Sequence, residues 1–133
     1  MQSGRSAGSR GDRAISSVNF RRAHPRLQCK GLAQIKLAPG EQPLPGWLMD
    51  LSISGCCIEW AEPVRGDVGS AIEIQLTVKG SVLRLMGVIR YIHGKKRTGI
   101  EFTQVSHRKR EQIDAVIREV LEMRRLAFAR CER

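Results

Sequence analysis

Ile72, Ile74, Leu76 and Val78 alternate with Glu73, Gln75, Thr77 and Lys79, and this run constrains the fold more than any other stretch of the chain. Successive side chains of a strand point to opposite faces, so a strict period of two describes a strand with one face buried and one in water. That pattern belongs to antiparallel sheets, because parallel strands are covered on both faces and read as continuous apolar runs. Lys79-Gly80-Ser81 is short enough to reverse the chain, and Val82 to Ile92 returns as a longer strand. In it Leu83, Leu85, Ile89 and Tyr91 interleave with Arg84, Gly87 and Arg90, and a slip between Met86 and Ile89 predicts a bulge or bend near Gly87.

Four more segments read as strands. Leu32 to Leu37 is closed by the breaker Ala38-Pro39-Gly40-Glu41, and Leu44 to Leu51 runs into the tight turn or bulge Ser52-Ile53-Ser54-Gly55. Cys56 to Trp60 follows, and Thr98 to Phe102 comes last, after the turn His93-Gly94-Lys95-Lys96. Six short strands with regular turn signals predict a closed or nearly closed antiparallel β-barrel, since closure removes exposed edges. After Ser106 the period becomes 3.6, with Ile113, Val116, Ile117, Val120 and Leu121 as one stripe and Ser106 as N-cap. The fold class is therefore all-β with a C-terminal α-helix. A helix from His107 to about Arg130 spans roughly 36 Å at ~1.5 Å per residue and overhangs strands of this length. Clean packing is expected to stop near Leu121 to Met123, because Arg124 falls back onto the stripe.

At 133 residues the chain has the size of one domain, and its net charge of +10 favours an anionic partner. Residues 1–26 carry six arginines against one aspartate, and residues 106–133 hold a further +3, while the strand region is almost balanced. Residues 1–19 read as a disordered Gly/Ser/Arg tail. Cys29, Cys56, Cys57 and Cys131 show no C-x-x-C spacing and His24, His93 and His107 are scattered, so no metal site or other cofactor is expected. Neither a signal peptide nor an apolar run near the ~18 residues of a membrane span is visible, which predicts a soluble, cytoplasmic protein.

Arg21-Arg22-Ala23-His24-Pro25-Arg26 precedes the first strand. A guanidinium presents paired donors that suit a phosphate or the O6/N7 edge of guanine. Arg22 and Arg26 lie at most roughly 13 Å apart in an extended segment at ~3.3 Å per residue, far enough to grip separate groups of one ligand. Pro25 keeps His24 out of the α region and stiffens the arm, and Arg21 is a spare cation for the same ligand. Alone, such a segment is equally a solvated basic leader. Asp50, Ser52 and Gly55 offer a second half: a carboxylate accepts from guanine N1–H and N2–H, a hydroxyl donates to phosphate, and glycine admits close backbone approach. An ordinary Asx/Ser turn uses the same residue types.

In this pairing the chain resembles the PilZ domain family, whose signature is R-x-x-x-R followed by [D/N]-x-S-x-x-G. Arg22 and Arg26 match the first half; Asp50, Ser52 and Gly55 match the second. Cys56-Cys57-Ile58, Val64-Arg65-Gly66-Asp67, Val88-Ile89-Arg90 and Thr98-Gly99-Ile100-Glu101-Phe102 resemble later landmarks, so the likeness runs from about Phe20 to Val120. It implies a six-stranded PilZ-like barrel over residues 20–123, with residues 124–133 as helix end or tail. It also implies binding of cyclic di-GMP, with Arg21, Arg22 and Arg26 on the arm and Asp50, Ser52 and Gly55 in the barrel-side wall. The expected role is a receptor or adaptor whose arm changes conformation and which signals to a protein effector. Two other readings stay open: a nucleotide-independent PilZ-like adaptor, and a basic barrel for single-stranded nucleic acid. The latter calls for stacking aromatics in one row, and Trp47, Trp60, Tyr91 and Phe102 do not alternate on one strand, so no specific nucleic acid is expected. An enzyme is not expected either, because no nucleophile and base stand at informative spacing.

Overall fold

The computed structural model describes residues 26–131. The predicted tail at residues 1–19, together with Arg21 and Arg22, lies outside the described residues. Six antiparallel strands run β1 (Leu27–Lys36), β2 (Leu44–Leu51), β3 (Gly55–Trp60), β4 (Ala71–Val78), β5 (Ser81–His93) and β6 (Arg97–Thr103), followed by helix α1 (His107–Cys131). They close in the order β1-β2-β3-β6-β5-β4, with β1 hydrogen-bonded to both β2 and β4. The expected six-stranded barrel with one C-terminal helix is what forms. Each of the six strands has two neighbours, so closure removes the two edge strands that an open sheet would have.

The alternating run becomes β4, with Ile72, Ile74, Leu76 and Val78 buried inside the barrel. Val78 pairs with Ser81, which leaves a two-residue loop of Lys79 (φ 51°) and Gly80 (φ 84°). Positive φ at both positions matches the right-handed twist of the flanking strands, and Gly80 meets the demand without strain. The inward face of β5 alternates without a break through Leu83, Leu85, Gly87 and Ile89. Gly87 is thus no bulge. It stands where an inward side chain would clash, since a Cβ there would lie 2.7 Å from Ile100 Cγ2 and 2.9 Å from Glu101 O. The bulge falls three residues later: Ile89 and Tyr91 pair with the consecutive Ile100 and Gly99, and Arg90 is the extra residue. Tyr91, expected to face inward, is turned out by it. β1 also starts earlier than expected, at Leu27, because an irregularity between Gln28 and Gly31 breaks the alternation that would have revealed it.

Ser106 caps α1 by accepting from the Lys109 backbone N–H at 3.2 Å. Ile113, Val116 and Val120 join the barrel core, with Ile117 packed beside them. Leu121 does not complete the stripe; it is half exposed, and each of residues 121–129 is exposed as the helix runs past the barrel. At the opposite end of β3, Trp60 is buried and its Nε1–H donates to Thr98 Oγ1 at 3.0 Å. Ile113→Ala is expected to lower the unfolding free energy by about 2–5 kcal/mol in urea titrations. Leu121→Ala, although on the predicted stripe, is expected to change it by no more than about 0.5 kcal/mol.

Candidate functional site

Two bulges bring the candidate residues onto one outer surface. In β2, Leu48 and Asp50 pair with the consecutive Ile58 and Cys57, so Met49 is extra. Strict alternation from the inward Leu48 would aim Asp50 into the core; the bulge sends it outward and lets Leu51 point in. The Arg90 bulge does the same for Tyr91. Asp50, Cys57, Gly99 and Tyr91 then form one register row across β2, β3, β6 and β5. The Tyr91 ring lies over Gly99, where a Cβ would sit only 2.0 Å from Cε2. Cys57, which pairs with Gly99 beneath this ring, is buried although it is on the outer face.

Arg26 enters this row immediately before β1. Its Nη1 donates to Asp50 Oδ1 at 2.8 Å, with both side chains largely covered. Burial works against the charged guanidinium, yet the hydrogen bond and charge of Asp50 outweigh it and push the Arg26 pKa up. The Nε–H of Arg26 is buried and has no acceptor among the described residues. Arg26, Ser54, Gly55, Tyr91 and Glu101 line a shallow basin of about 220 Å³, with Arg90 on its rim paired to Glu101. Arg90, Tyr91, Gly99 and Glu101 were not singled out as site residues from the sequence. The available signal was a glycine facing an aromatic in the neighbouring strand, legible only once the register is known.

Ser52 and Gly55 shape the wall from within. The Ser52 side chain is buried, and its Oγ accepts from the backbone N–H groups of Ser54 at 3.2 Å and Gly55 at 3.1 Å. The backbone closes the same turn, Ser52 N–H donating to Gly55 O at 2.8 Å, and Phe102 N–H ties it to β6 through Ser54 O at 2.9 Å. The Ser52 O–H, expected to donate to phosphate, donates here to Gly55 O at 3.2 Å. Gly55 is needed for a different approach than expected: a Cβ would meet Ile100 O at 2.3 Å, so glycine lets β6 close against β3. Burial favours the protonated thiol at Cys29, Cys56 and Cys57. Burial pushes Cys56 well up, and burial with the charge of Asp50 pushes Cys57 up. No three His, Cys, Asp or Glu side chains gather as metal ligands among the described residues.

A family model of the PilZ domain matches residues 20–119. The chain belongs to the PilZ domain family. No curated protein sequence matches it. Among solved structures, YcgR of Escherichia coli in complex with c-di-GMP aligns with a TM-score of 0.73 at 18% identity, over 84% of this chain and 50% of that one. The PilZ domain of YcgR with c-di-GMP aligns at 0.61 and 23%, over 77% and 96%. The Bacillus subtilis inhibitor of motility MotI/DgrA aligns at 0.64 and 16%, over 77% and 52%. At these identities the likeness is one of fold, and this chain spans about half the length of the first of them.

In the PilZ barrel described here, Ser52→Ala removes the acceptor for two backbone N–H groups. It is expected to cost about 1–3 kcal/mol in denaturant unfolding; a loss below about 0.5 kcal/mol, the range of an ordinary surface change, shows that the turn is held by its backbone bonds alone. Because raised thiol pKa values lower the thiolate fraction, Cys56 and Cys57 are expected to react with iodoacetamide at neutral pH far more slowly folded than in urea.

Proposed function

We propose that this PilZ domain is a cytoplasmic cyclic di-GMP receptor that signals to a protein partner. The observation that carries this reading is the Arg26–Asp50 bond, which joins residues 24 apart in sequence, one from each half of the family signature, beside a basin that Arg26 and Gly55 line. Two of the solved structures of the same fold are complexes with c-di-GMP. Arg26 supplies charge-assisted donors to a phosphate or guanine acceptor, and its unpartnered Nε–H would be satisfied by a ligand oxygen. Asp50 commits Oδ1 to Arg26 and keeps Oδ2 for a guanine N–H. Ser52 and Gly55 act by holding the wall in shape.

A basin of about 220 Å³ is smaller than the roughly 300–1,000 Å³ of ordinary ligand sites. The arm bearing Arg21 and Arg22 therefore has to supply the remaining enclosure, folding over the ligand from the side of Arg26. Closure of the arm changes the surface next to β1, and that change is what an effector reads.

Titration calorimetry with cyclic di-GMP tests this. Arg22→Ala and Arg26→Ala are each expected to weaken binding on the order of 10- to 100-fold, as loss of a charged hydrogen-bond donor does. Arg84→Ala, whose guanidinium bonds Gln75 elsewhere on the barrel, is expected to leave affinity unchanged. Unaltered affinity in both arginine-arm variants removes the assignment.

A further inference from the structure

A second row on the barrel exterior has no role in the basin. Trp47, Leu32, Thr77 and Val82 are register partners across β2, β1, β4 and β5. The outer face of a barrel in water is expected to be polar, yet Trp47, Leu32 and Val82 are 51%, 61% and 50% exposed. One step along the strands stand the exposed Lys30 and Lys79. Beyond them a cleft of about 400 Å³ opens under the overhanging part of α1, floored by Cys29, Val120, Met123 and Ala127 and rimmed by Lys30, Lys79 and Arg124. No acidic residue lines it. Among acids of the neighbouring elements, Asp50 is paired with Arg26, Glu59 with Arg97 at 3.3 Å, and Glu122 with Arg125. One side of the barrel thus carries an apolar row, the cations Lys30, Lys79 and Arg124, and a cleft that no acid lines.

We propose that this face docks the protein on anionic lipid surfaces. Charge complementarity selects the occupant. A second copy would set Lys30, Lys79 and Arg124 against their own equivalents, whereas an anionic headgroup layer neutralises all three. The side chains suit that layer: tryptophan and short aliphatics enter the headgroup boundary, while lysine and arginine stems lie along apolar surface and keep their charge at the phosphates. The net charge of +10, with its excess toward both ends of the chain, adds long-range attraction of the same sign.

The test uses the full chain with vesicles of phosphatidylcholine, alone or mixed equally with phosphatidylglycerol. Sedimentation reads partition, and tryptophan emission reads insertion, since Trp60 is buried and only Trp47 is open to lipid. Binding is expected with phosphatidylglycerol only, with a blue shift of emission that Trp47→Phe abolishes. Each basic residue near a surface strengthens partition about fivefold, so Lys30→Glu, Lys79→Glu and Arg124→Glu together are expected to weaken it at least about a hundredfold. Leu32→Ser with Val82→Ser is expected to weaken it further, with cyclic di-GMP affinity unchanged. The proposal is overturned by absence of partition, as for a face that docks on an acidic protein. It is equally overturned by partition that survives the triple charge reversal, which assigns binding to the basic ends, or by an unshifted Trp47 emission.

Discussion

Closure of the sheet between β1 and β4 is the constraint on which the remaining structure depends. A strand paired on one side only leaves a row of backbone donors and acceptors, whereas β1 is paired along its length to β2 and, over Leu32 to Lys36, to β4. Closure also settles register, because slipping any strand by one residue exchanges its inner and outer faces. Ile35, Leu48, Ile58, Ile74, Leu85 and Ile100, drawn from all six strands, meet inside only in this register. One end of that core remains open, and the apolar stripe of α1 covers it with Ile113, Val116 and Val120.

Bulges convert this closed scaffold into a site. An unbroken alternation is well suited to a core and poorly suited to placing a chosen polar residue, because parity alone decides which face it occupies. Each extra residue resets parity. Met49 turns Asp50 outward, Arg90 turns Tyr91 outward, and the irregularity between Gln28 and Gly31 keeps β1 in step beside them. Three departures from regular pairing at one region of a small barrel mark the place where the surface is shaped for something other than packing. Arg26 is fixed there because Leu27, its neighbour, already pairs with Leu51.

The wall beside the basin is held in shape by Ser52 and Gly55. Ser52 satisfies two backbone N–H groups that the tight turn would otherwise leave buried and unpaired, and Gly55 removes the Cβ that would hold β3 away from β6. Two residues of the family signature thus belong to the architecture of the wall. The exterior row from Trp47 to Val82 stands apart from both: it contributes to neither core nor wall, and its exposure makes it the natural face for a further contact.

Strand order along the chain, the antiparallel class, the helix with its Ser106 cap and the pairing of two signature halves were legible in the residues, because each depends on local periodicity or on residue types at short spacing. The slip in β5 was legible as an irregularity but was placed at Gly87, since a missing side chain and a missing step look alike in a hydrophobic pattern; only pairing with Ile100 and Gly99 locates it at Arg90. The structural part that Ser52 and Gly55 play was not legible, because residue type cannot distinguish a hydroxyl aimed at a ligand from one aimed at its own turn. Leu121 joined the stripe by spacing, yet the barrel ends before it. By itself, then, the sequence determined which segments form which elements and which family motif they carry. Tertiary structure decided which face each residue occupies, because parity at Asp50 and Tyr91 depends on bulges whose position is set by the neighbouring strand and not by the residues themselves.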